Sequence, residues 1–330
     1  MQTATLGHTW VERRSIRRNI FAVLSTLLAL AVLMSVWWLT ATSMMKSQIS
    51  RFIEDERTQG RIWACGEWFY TGFPFRTEAQ CKSLTATVAG ASPVEMSVPS
   101  LLLTSSIFNP FHVWIEIGSP LILARDNHTS TVAQWHAFTA ALRTGFGFDP
   151  KEMSVTTEEL VINDILSRGT MKLAHGTADI RRNLASSDLS AGALNGIDIN
   201  ASADFLDFAA LGAPGYRATF EGRIDGAAAL LNVNGLDAFQ KSGGRLVVDH
   251  LSLKRPKQDL YLRGNTRITD DHRLDGSFDI HATGIGNVLG GVVFNPDMDR
   301  DEIEIRLPVV VTNGVVTVGP YRMGELAPLY

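Results

Sequence analysis

The sequence has few cysteines, few charged residues and no excess of positive charge. Two cysteines in 330 residues exclude a disulfide-dense scaffold and a four-cysteine zinc module. Charged residues make up 19 % of the chain, below the roughly 25 % of ordinary soluble domains. The formal net charge of -4 argues against a nucleic-acid partner.

Complete catalytic and ligand-binding motifs are also missing. The chain has no H-E-x-x-H and no G-x-S-x-G pattern. Gly284-Ile285-Gly286 opens a glycine-rich stretch, but the third glycine of a dinucleotide loop is misplaced. Asp297, Asp299 and Asp301 match the beginning of a calcium loop, but its required glycine and glutamate are absent. We therefore expect a non-enzymatic protein with no catalytic, cofactor or metal site, and an envelope hydrolase is the least supported alternative.

One long hydrophobic run lies near the N-terminus. No charged residue occurs between Arg18 and Lys46, and Ile20 to Thr40 is almost wholly apolar. About 20 such residues in a helix cross a hydrocarbon core of about 30 Å. Trp37 and Trp38 lie at one end of the run, as expected at the headgroup level.

This run has two interpretations, an uncleaved anchor and a cleaved signal peptide. A signal peptide usually has an apolar region of about 7 to 15 residues that ends at small residues. The present run is longer and ends in Trp-Trp-Leu, which favours a transmembrane helix over residues 19–43. Residues 1–18 carry four arginines against one glutamate, so this tail is predicted to be cytoplasmic and the rest to lie across the membrane.

A helical stalk and a β-rich domain are predicted to follow the anchor. An apolar stripe with helical spacing continues over residues 44–60 and ends at Gly60. From residue 61 the hydrophobic period falls to 2, which is typical of strands. The Asn313-Gly314 pair predicts a two-residue hairpin turn. Residues 61–330 are therefore predicted to be mostly β, an α+β domain with one long curved antiparallel sheet and a few short helices.

The predicted strands begin with a hairpin near the cysteines. Trp63–Tyr70 is interpreted as a strand, Thr71-Gly72 as a turn and Phe73–Arg76 as the return strand, which Pro74 places at a sheet edge. Further strands are predicted at Leu84–Val88, His112–Ile117, Leu121–Ala124, Tyr216–Ile224, Arg245–Leu253, Leu260–Arg263, Thr266–Thr269, Arg273–Thr283, Glu302–Val311 and Val315–Val318.

Four short helices are predicted from apolar residues at helical spacing. They are Thr131–Thr144 with Trp135, Phe138 and Leu142 on one face, a segment with Ile180 and Leu184, a segment with Phe205, Phe208 and Ala209, and Leu236–Lys241. An apolar sheet face must be covered by helices, by a second sheet or by a ligand. Because four short helices are a thin cover, we hypothesise a groove for an apolar molecule. A fully packed face is the open alternative.

Cys65 and Cys81 lie within the predicted hairpin region. An oxidising compartment favours their pairing as a disulfide. Two alternatives are free buried thiols and a two-thiolate metal site. A metal site would need a nearby histidine, and none occurs between His8 and His112.

The order of these features resembles a bacterial family. A membrane anchor followed by Cys65, the motif Gly72-Phe73-Pro74-Phe75-Arg76 and Cys81 is similar to the domain-of-unknown-function family 2125 (DUF2125). The similarity continues through Trp135 and Gly243-Gly244-Arg245-Leu246 to the C-terminal segment Asn313–Leu329. Residues 251–276 also resemble, more distantly, the strand repeats of AsmA-type periplasmic proteins.

The resemblance implies a location and a class of partner. It implies a bacterial inner-membrane protein with a single pass and a periplasmic C-terminal domain. AsmA-type proteins have long β grooves thought to carry lipids between membranes, so a lipid or another apolar ligand is the expected partner. A structural or interaction scaffold for other envelope proteins is the alternative.

Overall fold

The computed structural model describes residues 9–88, 93–125, 128–145, 150–164, 169–183, 196–208, 215–231, 235–256, 258–283 and 304–329. Side chains of residues 9–18 lie outside this description. So do the glycine-rich stretch at residues 284–291, the aspartates at 297–301, and Leu184 and Ala209 of two predicted helices.

A single helix, α1 (Thr9–Thr58), contains both the predicted anchor and the predicted stalk. It runs for 50 residues without a break, because no glycine or proline interrupts the sequence. Gly60 ends it as predicted, since its positive φ of 78° is a conformation that glycine adopts without strain. How this helix divides between anchor and stalk stays a prediction.

One curved antiparallel sheet forms most of the rest of the described chain. Its 17 strands are β1 (Arg61–Thr71), β2 (Arg76–Val88), β3 (Val94–Ser106), β4 (Asn109–Ile117), β5 (Leu121–Arg125), β6 (His128–Gln134), β7 (Ala137–Thr144), β8 (Pro150–Asp164), β9 (Gly169–Asn183), β10 (Gly196–Phe208), β11 (Tyr216–Asp225), β12 (Arg245–Arg255), β13 (Gln258–Ile268), β14 (Leu274–Thr283), β15 (Glu304–Thr312), β16 (Val315–Val318) and β17 (Tyr321–Glu325). The predicted fold class is confirmed.

The strands follow one another through the sheet with one local exception. Both β4 and β5 pair with β3, and both β6 and β7 pair with β8, so these short strands lie end to end as two rows. From β8 to β17 each strand pairs with the next strand in the chain. The predicted Asn313-Gly314 hairpin turn joins β15 to β16, with positive φ at both residues.

The register gives the sheet one apolar face and one charged face. Leu251 pairs with Leu262, Leu262 with Ile280, and Ile280 with Leu307, so an aliphatic row crosses four strands. Alternate residues on the same strands form exposed ion pairs such as Arg263–Asp279. Because side chains alternate between faces, the period of 2 in the sequence produces this segregation.

Helical cover on the described sheet is small. A turn of 3₁₀ helix (Ala227–Leu231) precedes α2 (Gly235–Lys241), which confirms the predicted helix at Leu236–Lys241. Phe239 of α2 is buried, and its carbonyl accepts a 2.7 Å hydrogen bond from the backbone N–H of Gly244. Within the described residues, these two short elements therefore cover only one turn region of the sheet.

Three predicted helices are wrong. Residues 131–144 form most of strands β6 and β7 and the connection between them, Ile180 lies in β9, and Phe205 and Phe208 lie in β10. Residues four apart share a face in a strand as well as in a helix, so this spacing alone does not separate the two. In β10 the ladder also shifts register next to Phe205, and such a bulge breaks the period-2 alternation.

Several strand boundaries also differ from the prediction. Phe73, Pro74 and Phe75 form the turn itself, and β2 begins at Arg76, so Pro74 does not mark an edge strand. The predicted strands at 260–263 and 266–269 are one strand, β13. Gly264 lies inside this strand and does not end it. A glycine is needed there because the strand lies close to the backbone of β14, where a Cβ would approach the Ser277 carbonyl oxygen to 2.2 Å.

Candidate functional site

Helix α1 docks on the sheet through its tryptophans. The Trp37 indole N–H donates a 3.2 Å hydrogen bond to the carbonyl of Ile107, and the Trp38 indole N–H donates a 2.8 Å hydrogen bond to the carbonyl of Arg76. Thr42, one turn further along, is buried. At the C-terminal end of its apolar run, the helix is therefore joined to the start of β2 and to the turn between β3 and β4.

The part of α1 before these contacts is exposed. Its most apolar window has a mean hydropathy of 2.4, and none of that window is buried. This segment is long and apolar enough to cross a membrane, and by composition it is compatible with a single-pass anchor or with a signal sequence.

Beyond the tryptophans, α1 and the sheet border a partly open apolar cavity of about 520 Å³. One wall is the stalk portion of α1, and the others are the apolar faces of β1 to β5 and β7. We call this space the stalk cavity. Its lining residues are Gln48, Ile49, Phe52, Ile53, Trp63, Ala64, Cys65, Trp68, Leu84, Met96, Val98, Leu101, Leu103, Val113, Ile115, Ile117, Leu121, Trp135, Phe138, Leu142 and Thr144.

The predicted disulfide lies in the floor of the stalk cavity. Cys65 and Cys81 are bonded, with their Cα atoms 5.9 Å apart, which settles their state against free thiols or metal ligands. Cys81, Leu84 and Val98 are buried together, and Trp63 and Trp68 pack on them. The bond links β1 to β2 next to the stalk cavity, which Cys65 lines.

Three residues that were predicted to lie on one face of a helix all line the stalk cavity. Trp135 lines it from the connection between β6 and β7, and Phe138 and Leu142 line it from β7. The Trp135 indole N–H donates a 2.9 Å hydrogen bond to the carbonyl of Ile117, and its ring lies 5.3 Å from that of Phe138. The sequence therefore predicted correctly that these three side chains lie together, but it predicted a helix where the backbone is mostly extended.

A charged cluster closes the junction of α1 and β1 beside the cavity. The Glu56 carboxylate accepts hydrogen bonds from the Arg61 guanidinium and, at 3.1 Å, from the Trp63 indole. The hydrogen bond from Arg61 is the main cause of a Glu56 pKa below its usual value, and it also raises the pKa of Arg61. Sequence reasoning missed this cluster, because ion pairs between a helix end and a strand have no fixed spacing.

A second contact of α1 involves a lysine and a tyrosine. The Lys46 ammonium lies 4.4 Å from the centre of the Tyr70 ring, within reach of a cation–π attraction. Burial raises the pKa of the Tyr70 hydroxyl. The stalk is thus held to β1 at both ends of the cavity wall.

The family motif predicted at Gly72–Arg76 forms the β1–β2 turn at the tryptophan level of α1. Gly72 has a φ of 99°, and a Cβ there would meet the Arg76 carbonyl oxygen at 2.7 Å, so this tight turn requires glycine. The rings of Phe73 and Trp38 are packed edge to face, with their centres 5.6 Å apart. The motif therefore lies beside the tryptophans of α1 and does not line the stalk cavity.

The apolar face continues beyond the cavity across the middle strands. A smaller recess of about 230 Å³ lies over β8 to β11, lined by residues including Leu173, Ala201 and Phe220. Among the described residues, no group of three or more His, Cys, Asp or Glu side chains is placed to hold a metal ion.

Comparison with known proteins gave one family match. A family model described as an uncharacterised protein conserved in bacteria (DUF2125) matches residues 38–327. The matched range includes both cysteines, the motif at Gly72–Arg76, the stalk and all 17 strands of the sheet. No curated protein and no solved structure matched the chain.

Proposed function

Starting from the fact that this chain belongs to the DUF2125 family of bacterial proteins, we propose that it is a single-pass inner-membrane protein whose periplasmic domain holds a lipid acyl chain without converting it chemically. The observation that carries this proposal is the stalk cavity, an apolar space of about 520 Å³ walled on one side by the continuation of the membrane helix.

An uncleaved anchor is supported by the way α1 is integrated into the fold. Cleavage near residues 41–43 would remove Trp37 and Trp38, whose indoles hydrogen-bond to carbonyls of the sheet. A signal sequence has no reason to make such contacts with the mature domain. The arginine-rich tail and the disulfide both support an orientation with the sheet in the oxidising periplasm.

The chemistry of the stalk cavity favours an acyl chain. Of its lining residues in the described chain, only Gln48 and Thr144 carry polar side chains apart from the tryptophans. Ordered water needs two to four polar partners, so this space is a poor site for water. Its volume falls within the range of about 300–1,000 Å³ for small-molecule sites.

The position of the stalk cavity along α1 also favours lipid. Gln48 to Ile53 lie about 15–22 Å beyond Trp38 along the helix axis, at 1.5 Å per residue. With Trp38 at the headgroup level, the cavity is therefore within one lipid length of the bilayer surface. Phospholipid is the apolar molecule that the neighbouring bilayer can supply.

Photo-cross-linking of the full-length chain in bacterial membranes tests this proposal. A benzophenone amino acid in place of Phe138, which lines the cavity, should form an adduct whose mass corresponds to a phospholipid. The matched control is the same amino acid in place of Ile62, which is 53 % exposed and does not line the cavity. A lipid adduct at position 138 alone supports the proposal, and equal adduct or none at both positions overturns it.

A scaffold without a ligand is the second candidate function, and the last strand favours it. All five residues of β17 are exposed, and within the described residues β17 pairs only with β16. A free strand edge is a template for pairing with another chain. A benzophenone in place of Tyr321 should then form adducts with another envelope protein, and none with lipid.

A further inference from the structure

Two turns at the α1 end of the sheet form one aromatic surface. The first is Phe73–Phe75 between β1 and β2, and the second is Ile107–Phe108 between β3 and β4. The backbone N–H of Ile107 donates a 3.2 Å hydrogen bond to the carbonyl of Phe75. The rings of Phe75 and Phe108 lie nearly parallel with their centres 6.4 Å apart. We call this pair of turns the aromatic loops.

Helix α1 fixes the height of the aromatic loops relative to its own apolar run. Trp37 hydrogen-bonds to Ile107 in one loop, and Trp38 contacts Phe73 in the other. About 18 residues of α1 separate Ile20 from Trp38, which is about 27 Å at 1.5 Å per residue. The loops therefore lie where the helix leaves the hydrocarbon core, beside the tryptophans that mark the headgroup level.

The aromatic loops expose their phenyl rings. Phe73, Phe75 and Phe108 are 57 %, 56 % and 75 % exposed, whereas Ile107 is buried and holds its turn in place. Residues 72–75 and 107–108 carry no charge. Arg76 follows directly, with 67 % of its side chain exposed and its Nε 3.8 Å from the carboxylate of Glu78. Exposed aromatic rings next to a cation are the pattern of a surface that meets lipid headgroups and the upper acyl chains.

We propose that the aromatic loops insert into the periplasmic leaflet next to α1, with Phe75 and Phe108 among the upper acyl chains and Arg76 at the lipid phosphates. This inference rests on the membrane-spanning part of the proposed function and not on a lipid in the stalk cavity. It assigns a role to the Gly72–Arg76 motif: the tight turn at Gly72 presents the two phenylalanines to the bilayer. A second tether of this kind would hold the sheet at a fixed height.

Depth-dependent quenching on the full-length chain tests the insertion. Phe108→Cys introduces a single free thiol, because the chain's own two cysteines are bonded to each other. An environment-sensitive fluorophore on this thiol is measured in vesicles of phosphatidylethanolamine and phosphatidylglycerol. A fraction of the lipids carries a nitroxide quencher near the headgroup end of the acyl chain. The matched control is Tyr321→Cys, which is 72 % exposed on β17 at the other end of the sheet.

We expect the label at position 108 to lose most of its emission to the lipid quencher and the label at position 321 to lose none. Phe75→Cys is the second variant, and it should be quenched like Phe108→Cys. An equal fractional loss of emission to the lipid quencher at positions 108 and 321 overturns the proposal. Protection of position 108 from aqueous iodide without lipid quenching also overturns it and indicates a protein partner on these loops.

The same vesicles separate failure of this inference from failure of the membrane anchor. A chain that floats with the vesicles and resists carbonate extraction has an inserted α1, so absence of quenching then counts against the aromatic loops alone. A chain that carbonate releases has no spanning helix, and both proposals fail together.

Discussion

The guanidinium of Arg61, at the start of β1, donates two hydrogen bonds to the carboxylate of Glu56, in the last turns of α1. Both side chains are mostly buried, at 19 % and 14 % exposed. The pair joins the last turns of the helix to the first residue of β1, next to the residues of α1 and β1 that line the stalk cavity.

Glu56→Gln should lower the free energy of unfolding by about 1.5–3 kcal/mol, the range for charge-assisted hydrogen bonds. The control is Glu54→Gln, because Glu54 is two-thirds exposed and reaches Arg57 only at 4.0 Å. That change should cost less than about 0.5 kcal/mol. Urea unfolding in detergent, followed by tryptophan fluorescence, measures both. Equal effects of the two variants would contradict the structural role of Glu56.

The same carboxylate predicts a dependence on pH. The pKa of Glu56 lies below its ordinary value of 4.5 in the folded chain, so the folded state binds its proton less tightly than the unfolded state. Its contribution to stability is complete above the ordinary value and is lost as the pH falls through the folded pKa. The stability difference between the wild-type chain and Glu56→Gln should therefore shrink in acid. A difference that grows on acidification would show the opposite linkage.

Cys65→Ser should lower the free energy of unfolding by about 3 kcal/mol in oxidising buffer, since the disulfide closes a loop of about 15 residues. The substitution should have little effect once a reductant has opened the bond in the wild-type chain. Thiol labelling after denaturation without reductant provides the direct check, and it should find neither cysteine free in the wild-type protein. A labelled wild-type chain would be inconsistent with the bond between Cys65 and Cys81.

Gly264→Ala should destabilise the sheet by about 1–3 kcal/mol, the usual cost of overpacking. Its new methyl group would collide with the Ser277 carbonyl and the Phe278 ring on β14. Gly324→Ala on β17 is the matched control, because nothing lies within 4 Å of the added Cβ. Thermal unfolding of the two variants should separate them clearly. A neutral Gly264→Ala would mean that β13 and β14 pair less closely than described.

The orientation of the chain predicts where a C-terminal reporter works. Alkaline phosphatase fused after Tyr330 should be active, because it folds only in the oxidising periplasm, and a cytoplasmic reporter at the same place should be inactive. Moving the four arginines of residues 1–18 to the other side of the apolar run should reduce the phosphatase signal. An active cytoplasmic reporter would place the sheet on the reducing side.

The local sequence pattern predicted correctly those elements that depend mainly on residues close together in the chain. The apolar run predicted a helical anchor and the apolar stripe at helical spacing predicted a helical stalk, and the structure has both in the helix Thr9–Thr58. The Asn313-Gly314 pair predicted its hairpin, because few other residue pairs adopt positive φ at both positions. Period-2 alternation predicted an antiparallel sheet with one apolar face.

Local pattern failed where two structures share the same spacing. Phe138 and Leu142 are four apart, so they share a face in the predicted helix and in the observed strand β7. Pairing of β7 with both β4 and β8 decided in favour of the strand, since the two ladders satisfy backbone groups that a short helix would leave to water.

The amino-acid sequence alone therefore determined the long helix, the alternation of the strands and the residues able to form the disulfide, because each depends on neighbours along the chain. Only the tertiary structure decided that α1 folds against β1 to border the stalk cavity, that Glu56 meets Trp63, and that Phe75 lies beside Phe108. These relationships join residues from separate turns and strands, and sheet register and the docking angle of the helix bring them together.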